Sequence, residues 1–142
     1  MNVTGKPTDK MLEELLAASD IDSYFKANAE HFIDYTVAEY LCFLVEHDGL
    51  KKSDVFRDAE MNEIYGYQIF AGKRVPSRDK LLCLGIAMRL TIDGIQKLMK
   101  IARYSPLYAK SIRDSVIIKG ISTGSSVVEI NAELYRVGEE TL

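Results

Sequence analysis

Tryptophan is absent from the chain, and its 142 residues include only three prolines, two cysteines and two histidines. Each scarcity excludes something. Cys42 and Cys83 stand far apart, each inside an apolar run, so the default reading is a buried reduced thiol at each place, with a disulfide the lesser alternative. Neither His31 nor His47 has a cysteine or a second histidine at metal-ligand spacing, and no metal site is expected. No phosphate-cradling glycine loop, no GxSxG and no cysteine beside a candidate base occurs, so an enzyme is not expected, nor is a cofactor. The start, MNVTGKPTDK, lacks an apolar stretch of the kind that leads secretion. No later run approaches the roughly 18 apolar residues of a membrane span. A cytoplasmic protein without membrane association is the expectation.

What is present is a 47% hydrophobic composition, enough for a real core in a chain near the commonest domain size. The formal net charge of -3 would weigh against nucleic acid if it were spread evenly, but it is not. Residues 1–50 hold 3 Lys/Arg and 10 Asp/Glu, residues 51–114 hold 13 and 7, and residues 115–142 hold 2 and 4, giving -7, +6 and -2. A basic centre between acidic ends suits a DNA-contacting module that carries interaction elements, although solvated helix faces can also differ in this way.

Apolar spacing divides the chain into short helices. Thr8 is a cap candidate for a first helix through Ala18, with Met11, Leu12, Leu15 and Leu16 on one stripe. Ile21 to Ala29 forms a weaker second, and Asp34 or Thr36 begins a third in which Val37, Tyr40, Leu41, Leu44 and Val45 recur at helical spacing before Asp48 and Gly49. Ser53 is the cap candidate for a helix over 54–60, Met61 and Asn62 make a turn, and 63–71 is the next helix. Pro76 or Ser77 starts another, and Thr91 caps one carrying Ile92, Ile95, Leu98, Met99 and Ala102. Five helices thus fall in 36–103. Beyond Pro106, segments 112–121 and 127–137 are separated by the turn-rich STGSS. Ser115 to Ile121 is β-branched enough for a strand, but with no partner strand in view it is read as helix.

The most informative stretch is Ile64 to Asp79, IYGYQIFAGKRVPSRD. Ile64, Tyr65, Ile69 and Phe70 are apolar near a helical period, Gly72 is placed to end the helix in the left-handed conformation, and Lys73, Arg74 and Arg78 follow. Such a helix running into a basic loop suggests a DNA reader.

These residues, with the LT-x-D-like cap at Leu90, Thr91 and Asp93, resemble an XRE-type helix-turn-helix regulator of the lambda and 434 repressor-like fold. The segments YGYQIFAGKRVPSRDKLL, LYAKSIRDSVII and NAELY extend that resemblance to a bacterial subgroup over nearly the whole length. It implies an all-α chain: an acidic helical arm over 1–35, a five-helix DNA-binding domain over 36–103, and a helical extension over 104–142 packed on the same core. It further implies a sequence-specific regulator that binds double-stranded DNA as a homodimer, with the helix over about 63–71 in the major groove. By position, Asn62, Glu63, Ile64, Tyr67 and Gln68 match residues that face bases, while Lys52, Ser53, Tyr65, Lys73, Arg74 and Arg78 match residues that meet phosphate. Gln68 is the best direct reader, because its amide can pair with adenine N6 and N7; Glu63 could accept from cytosine N4, and Tyr65 and Tyr67 could touch phosphate or thymine methyl groups.

Three positions depart from that pattern. Phe56 stands where a small residue is usual, Glu60 where the turn normally has glycine, and Gly66 where a branched residue is usual. The alternative reading lives there: a non-enzymatic adaptor that uses a redeployed helix-turn-helix fold, with Tyr65, Gly66 and Tyr67 as part of a protein-binding surface.

Overall fold

The computed structural model describes residues 5–142, and among the described residues it contains nine α-helices and no strand. They fall into two compact units, divided in the chain between Tyr35 and Thr36.

The first unit holds α1 (Thr8–Ala17) and α2 (Ile21–Ala27). Pro7 occupies the N-cap of α1 and Thr8 lies inside the first turn, so the expected Thr8 cap is not made. Proline serves there because its fixed φ suits a helix start. Asp20 caps α2 by accepting from the Ser23 N–H at 2.7 Å. Lys6 ties the unit together, its Nζ donating to Glu14 and to the buried Asn28 Oδ1, each at 2.8 Å. Tyr24 is buried among the edges of Phe25 and Phe32, whereas α1 buries no residue and Leu12, Leu16, Ile21 and Phe25 stay exposed.

The second unit holds α3 (Val37–His47), α4 (Lys52–Asp58), α5 (Glu63–Phe70), α6 (Arg78–Ala87), α7 (Ile92–Ile101), α8 (Ile112–Ser122) and α9 (Val127–Arg136). Its axis is α6, where the six consecutive residues Leu81, Leu82, Cys83, Leu84, Gly85 and Ile86 are all buried. A helix apolar on every side needs neighbours on every side. It has them in α4, α7 and α9, while α3 and α4 pack on α5 and α8 pairs with α9. Burial pushes the Cys83 thiol up to about 11, so it stays protonated and inert at neutral pH. Cys42 is also free, but half-buried rather than buried, its Sγ donating to the Phe70 carbonyl at 3.5 Å.

Starts and stops follow side-chain chemistry. Thr36 and Ser126 make full capping boxes with Glu39 and Glu129, and Ser77, Thr91 and Ser111 accept from the backbone of their first turns. Ser53 does not cap: α4 begins two residues earlier than expected, Lys51 takes the N-cap position without a side-chain bond, and Ser53 lies half-buried in the first turn. At the other end, all seven helices of this unit close the same way. Each has a residue with positive φ just past its C-cap and the paired backbone bonds of a Schellman motif, as in Leu50 N–H to Val45 O at 2.9 Å and Gly49 N–H to Glu46 O at 3.2 Å. Four of these residues are glycine, and the other three are Glu60, Arg89 and Arg103 with φ of 56°, 60° and 61°.

Candidate nucleic-acid interface

The helix pair α4 and α5 is built by an exchange of volume between two positions. Phe56, fully buried on α4, lies directly against Gly66 on α5, where an added Cβ would come within 2.5 Å of the Phe56 ring. The Phe56 ring also meets the edges of Tyr67 and Phe70 at centroid distances of 5.0 and 5.4 Å. The large residue on one helix and the missing side chain on the other are therefore one compensated contact. Tyr65 is half-buried and does not fill the space at Gly66, which Phe56 occupies.

The connection between the helices is short. Ala59 is buried, Glu60 takes the left-handed conformation with φ of 56°, Met61 turns inward with its N–H on the Phe56 carbonyl at 2.9 Å, and Asn62 caps α5 by accepting from the Tyr65 N–H at 3.2 Å. Glu60 thus adopts the backbone that a glycine would adopt more cheaply. Its carboxylate and that of Glu63 have no salt-bridge partner among the described residues.

Once Gly66, Ile69 and Phe70 are turned inward, the outer face of α5 carries Glu63, Ile64, Tyr67 and, at its edge, Gln68. Ile64 is 72% exposed and Tyr67 47%. Gly72, at φ 77°, ends α5 as the sequence implies, and the chain leaves through exposed Lys73, Arg74 and Val75. Arg74 folds back so that its Nε donates to Gln68 Oε1 at 3.0 Å, which fixes the Gln68 amide and leaves its NH2 group as a free donor. On the α4 side, Lys52 lies with Nζ 5.5 Å from the centre of the Phe70 ring, beside the half-buried Ser53. Arg57 is held by Asp54 and Asp58. Within 52–78, Lys52, Lys73 and Arg74 are therefore the cations without a carboxylate partner.

Arg78, expected to meet phosphate together with Lys73 and Arg74, is turned away from them. Its two terminal nitrogens grip the buried Asp114 at 3.3 and 3.0 Å, and it also donates to the carbonyls of Ser105 and Pro106. Asp114 further accepts from the Tyr108 N–H at 3.0 Å. Beside this pair runs its counterpart, Arg113 gripping Asp79 at 2.9 and 3.0 Å and reaching the Glu140 and Thr141 carbonyls, and the Asp79 carboxylate holds the Arg113 guanidinium pKa above its ordinary value. Together they clamp the start of α6 to the start of α8. Sequence reasoning missed Arg113 and Asp114, because partners 34 and 36 residues apart leave no local signal.

No protein-family model, curated protein or solved structure matches this chain.

Proposed function

We propose that the protein is a sequence-specific regulator that binds double-stranded DNA, with α4 and α5 acting as a helix-turn-helix and α5 entering the major groove. The observation that carries this reading is the compensation inside the pair. Phe56 fills the space left at Gly66, so those two departures from the motif compensate each other, and Glu60 adopts the left-handed backbone that the usual glycine would take. The pair then offers an uncovered α5 face, with Lys52 over the Phe70 ring and the exposed Lys73 and Arg74 following the end of α5. In such an arrangement Glu63, Ile64, Tyr67 and Gln68 face base edges and the lysines and Arg74 neutralise phosphates. One α5 covers only a half-site, so a homodimer belongs to the reading.

The test is binding of a random duplex pool followed by the selected duplex, measured by fluorescence anisotropy at about 50 and 200 mM salt. Affinity is expected to fall steeply with salt, and Lys73→Ala with Arg74→Ala is expected to flatten the slope by about one unit for each lost phosphate contact. Absence of binding at the lower salt, or binding indifferent to both salt and the double substitution, would overturn the proposal. In that event the adaptor reading gains. The observation favouring it is apolar exposure on α5 and the loop that follows it, with Ile64 at 72%, Tyr67 at 47% and Val75 at 86%.

A further inference from the structure

A cleft of about 280 Å³ opens in the second unit between the C-terminal ends of α4 and α6 and the first turn of α9. Ile86 and Val127 give it a buried apolar lining, and Val128, 57% exposed, an apolar rim. Arg57 and Asp58 also line it, but they are ion-paired with each other at 3.4 Å, and Arg57 is held by Asp54 at 3.1 Å as well. The other charged residues of the lining are Glu60 and Arg89. They are opposite in sign, yet among the described residues neither has an ion-pair partner, so they do not pair with each other. Arg89 donates from Nη1 to the Gly124 carbonyl at 2.9 Å and keeps Nε and Nη2 for other acceptors. It lies within electrostatic reach of Glu129, but that carboxylate is taken up by the Ser126 N–H at 2.9 Å. Both residues hold a backbone conformation that glycine would adopt more cheaply, with φ of 56° at Glu60 and 60° at Arg89. Of the seven helix ends closed by a left-handed residue, four use glycine, and of the three that keep a side chain, two line this one cleft. Backbone strain held at two positions around one cavity fits a place where the side chains are needed.

We propose that the cleft binds a small apolar α-amino acid, with its ammonium on Glu60, its carboxylate on Arg89 and its side chain against Ile86, Val127 and Val128. The volume lies just below the ~300 Å³ at which ligand pockets begin, which excludes a nucleotide or another large effector. Charge sorts what remains. An anion alone leaves Glu60 unpaired beside it, and a cation alone does the same to Arg89, whereas a zwitterion satisfies both. Nε and Nη2 of Arg89 are the two donors that take a carboxylate side-on, with two parallel bonds. The apolar lining then gives an aliphatic side chain a place out of water. This inference does not rest on the DNA-binding reading and stands or falls apart from it.

The experiment is a nuclear magnetic resonance titration of the 15N-labelled full chain with L-valine, L-leucine, L-isoleucine and L-methionine, each to about 10 mM, enough to saturate a site of millimolar affinity. At least one is expected to shift the amides of residues 57–60 and 86–89 along a saturating curve. The same compound without its ammonium group, and the same compound without its carboxylate, are expected to bind about tenfold more weakly, as each loses a charge-assisted hydrogen bond. Glu60→Gly should abolish the preference for the amino acid over the compound lacking ammonium, and Arg89→Gly the preference over the compound lacking carboxylate. Both substitutions put glycine where the backbone is already left-handed, so the fold is kept, and far-ultraviolet circular dichroism checks that it is. The proposal is overturned if none of the four amino acids shifts those amides, if the two truncated compounds bind as well as the amino acid, or if both preferences survive in the glycine variants.

Discussion

At the scale of single residues, the contact between Phe56 and Gly66 makes a glycine in mid-helix favourable. Alanine in place of a helical glycine ordinarily gains about 1 kcal/mol. Here a Cβ would come within 2.5 Å of a ring that is fully buried and pinned by Tyr67 and Phe70, so neither partner can move cheaply. Overpacking of this kind costs about 1–3 kcal/mol and outweighs the gain in propensity. Gly66→Ala is therefore expected to lower the urea midpoint, and Phe56→Leu to reduce that loss in a double-mutant cycle; additive effects of the two changes would contradict the contact. Glu60 is the opposite case. It holds φ of 56° with no salt-bridge partner for its side chain, so Glu60→Gly is expected to stabilise by about 1 kcal/mol through relief of backbone strain. A loss of stability in that variant would show that the carboxylate makes a contribution the backbone strain conceals.

At the scale of elements, the clamp between α6 and α8 decides what Arg78 is for. Asp114 is 7% exposed, and among the described residues the cation ion-paired with its carboxylate is Arg78. Removing one partner of a buried pair leaves an uncompensated charge and costs about 3–5 kcal/mol. Arg78→Ala is expected to destabilise by that order in a denaturant titration, with Arg78→Lys recovering only part because a lysine cannot make the two-pronged contact. On the proposed DNA-binding reading, the salt dependence of binding in the folded fraction should match that of the unsubstituted chain. A normal midpoint with a flattened salt slope would return Arg78 to the phosphate-binding set. The same elements show what was legible in the sequence. Helix positions were, because period and caps are local: Thr91 caps as expected, Thr36 rather than Asp34 and Ser77 rather than Pro76 prove to be the caps of their helices, and the β-branched run at 115–121 lies within α8. Thr8 and Ser53 misled because each sits one or two residues inside a helix whose N-cap is Pro7 or Lys51, and neither of those residues contributes a capping oxygen. Around the candidate interface, the outward placement of Glu63, Ile64 and Tyr67 came from the resemblance alone, whereas the apolar period grouped Ile64 with Ile69 and Phe70, which are buried while Ile64 is 72% exposed. The true partners of Arg78 and Phe56 could not be read from the sequence, since both depend on where distant segments meet.

At the scale of the whole molecule, stability is expected to differ between the two units, and the reason lies in how much apolar surface each buries internally. The second unit is organised around α6, whose residues 81–86 are all buried and which packs against α4, α7 and α9. In the first unit α1 buries no residue, and Tyr24 is the one apolar side chain of α2 that is buried. A segment of about 30 residues without a disulfide or metal falls below the size at which a domain usually holds itself together. Amides of α1 and α2 are therefore expected to exchange hydrogen through a low-energy local opening, whereas those of residues 81–86 and of α7 should exchange only when the second unit unfolds as a whole. Native-state exchange followed by mass spectrometry over a denaturant series reads both classes. If the proposed homodimer forms and covers the first unit, protection of α1 and α2 will rise with protein concentration while that of α6 stays constant. Protection of α1 equal to that of α6 and independent of concentration would show instead that the chain unfolds as a single cooperative body, and that the exposed Leu12, Leu16 and Phe25 cost it nothing.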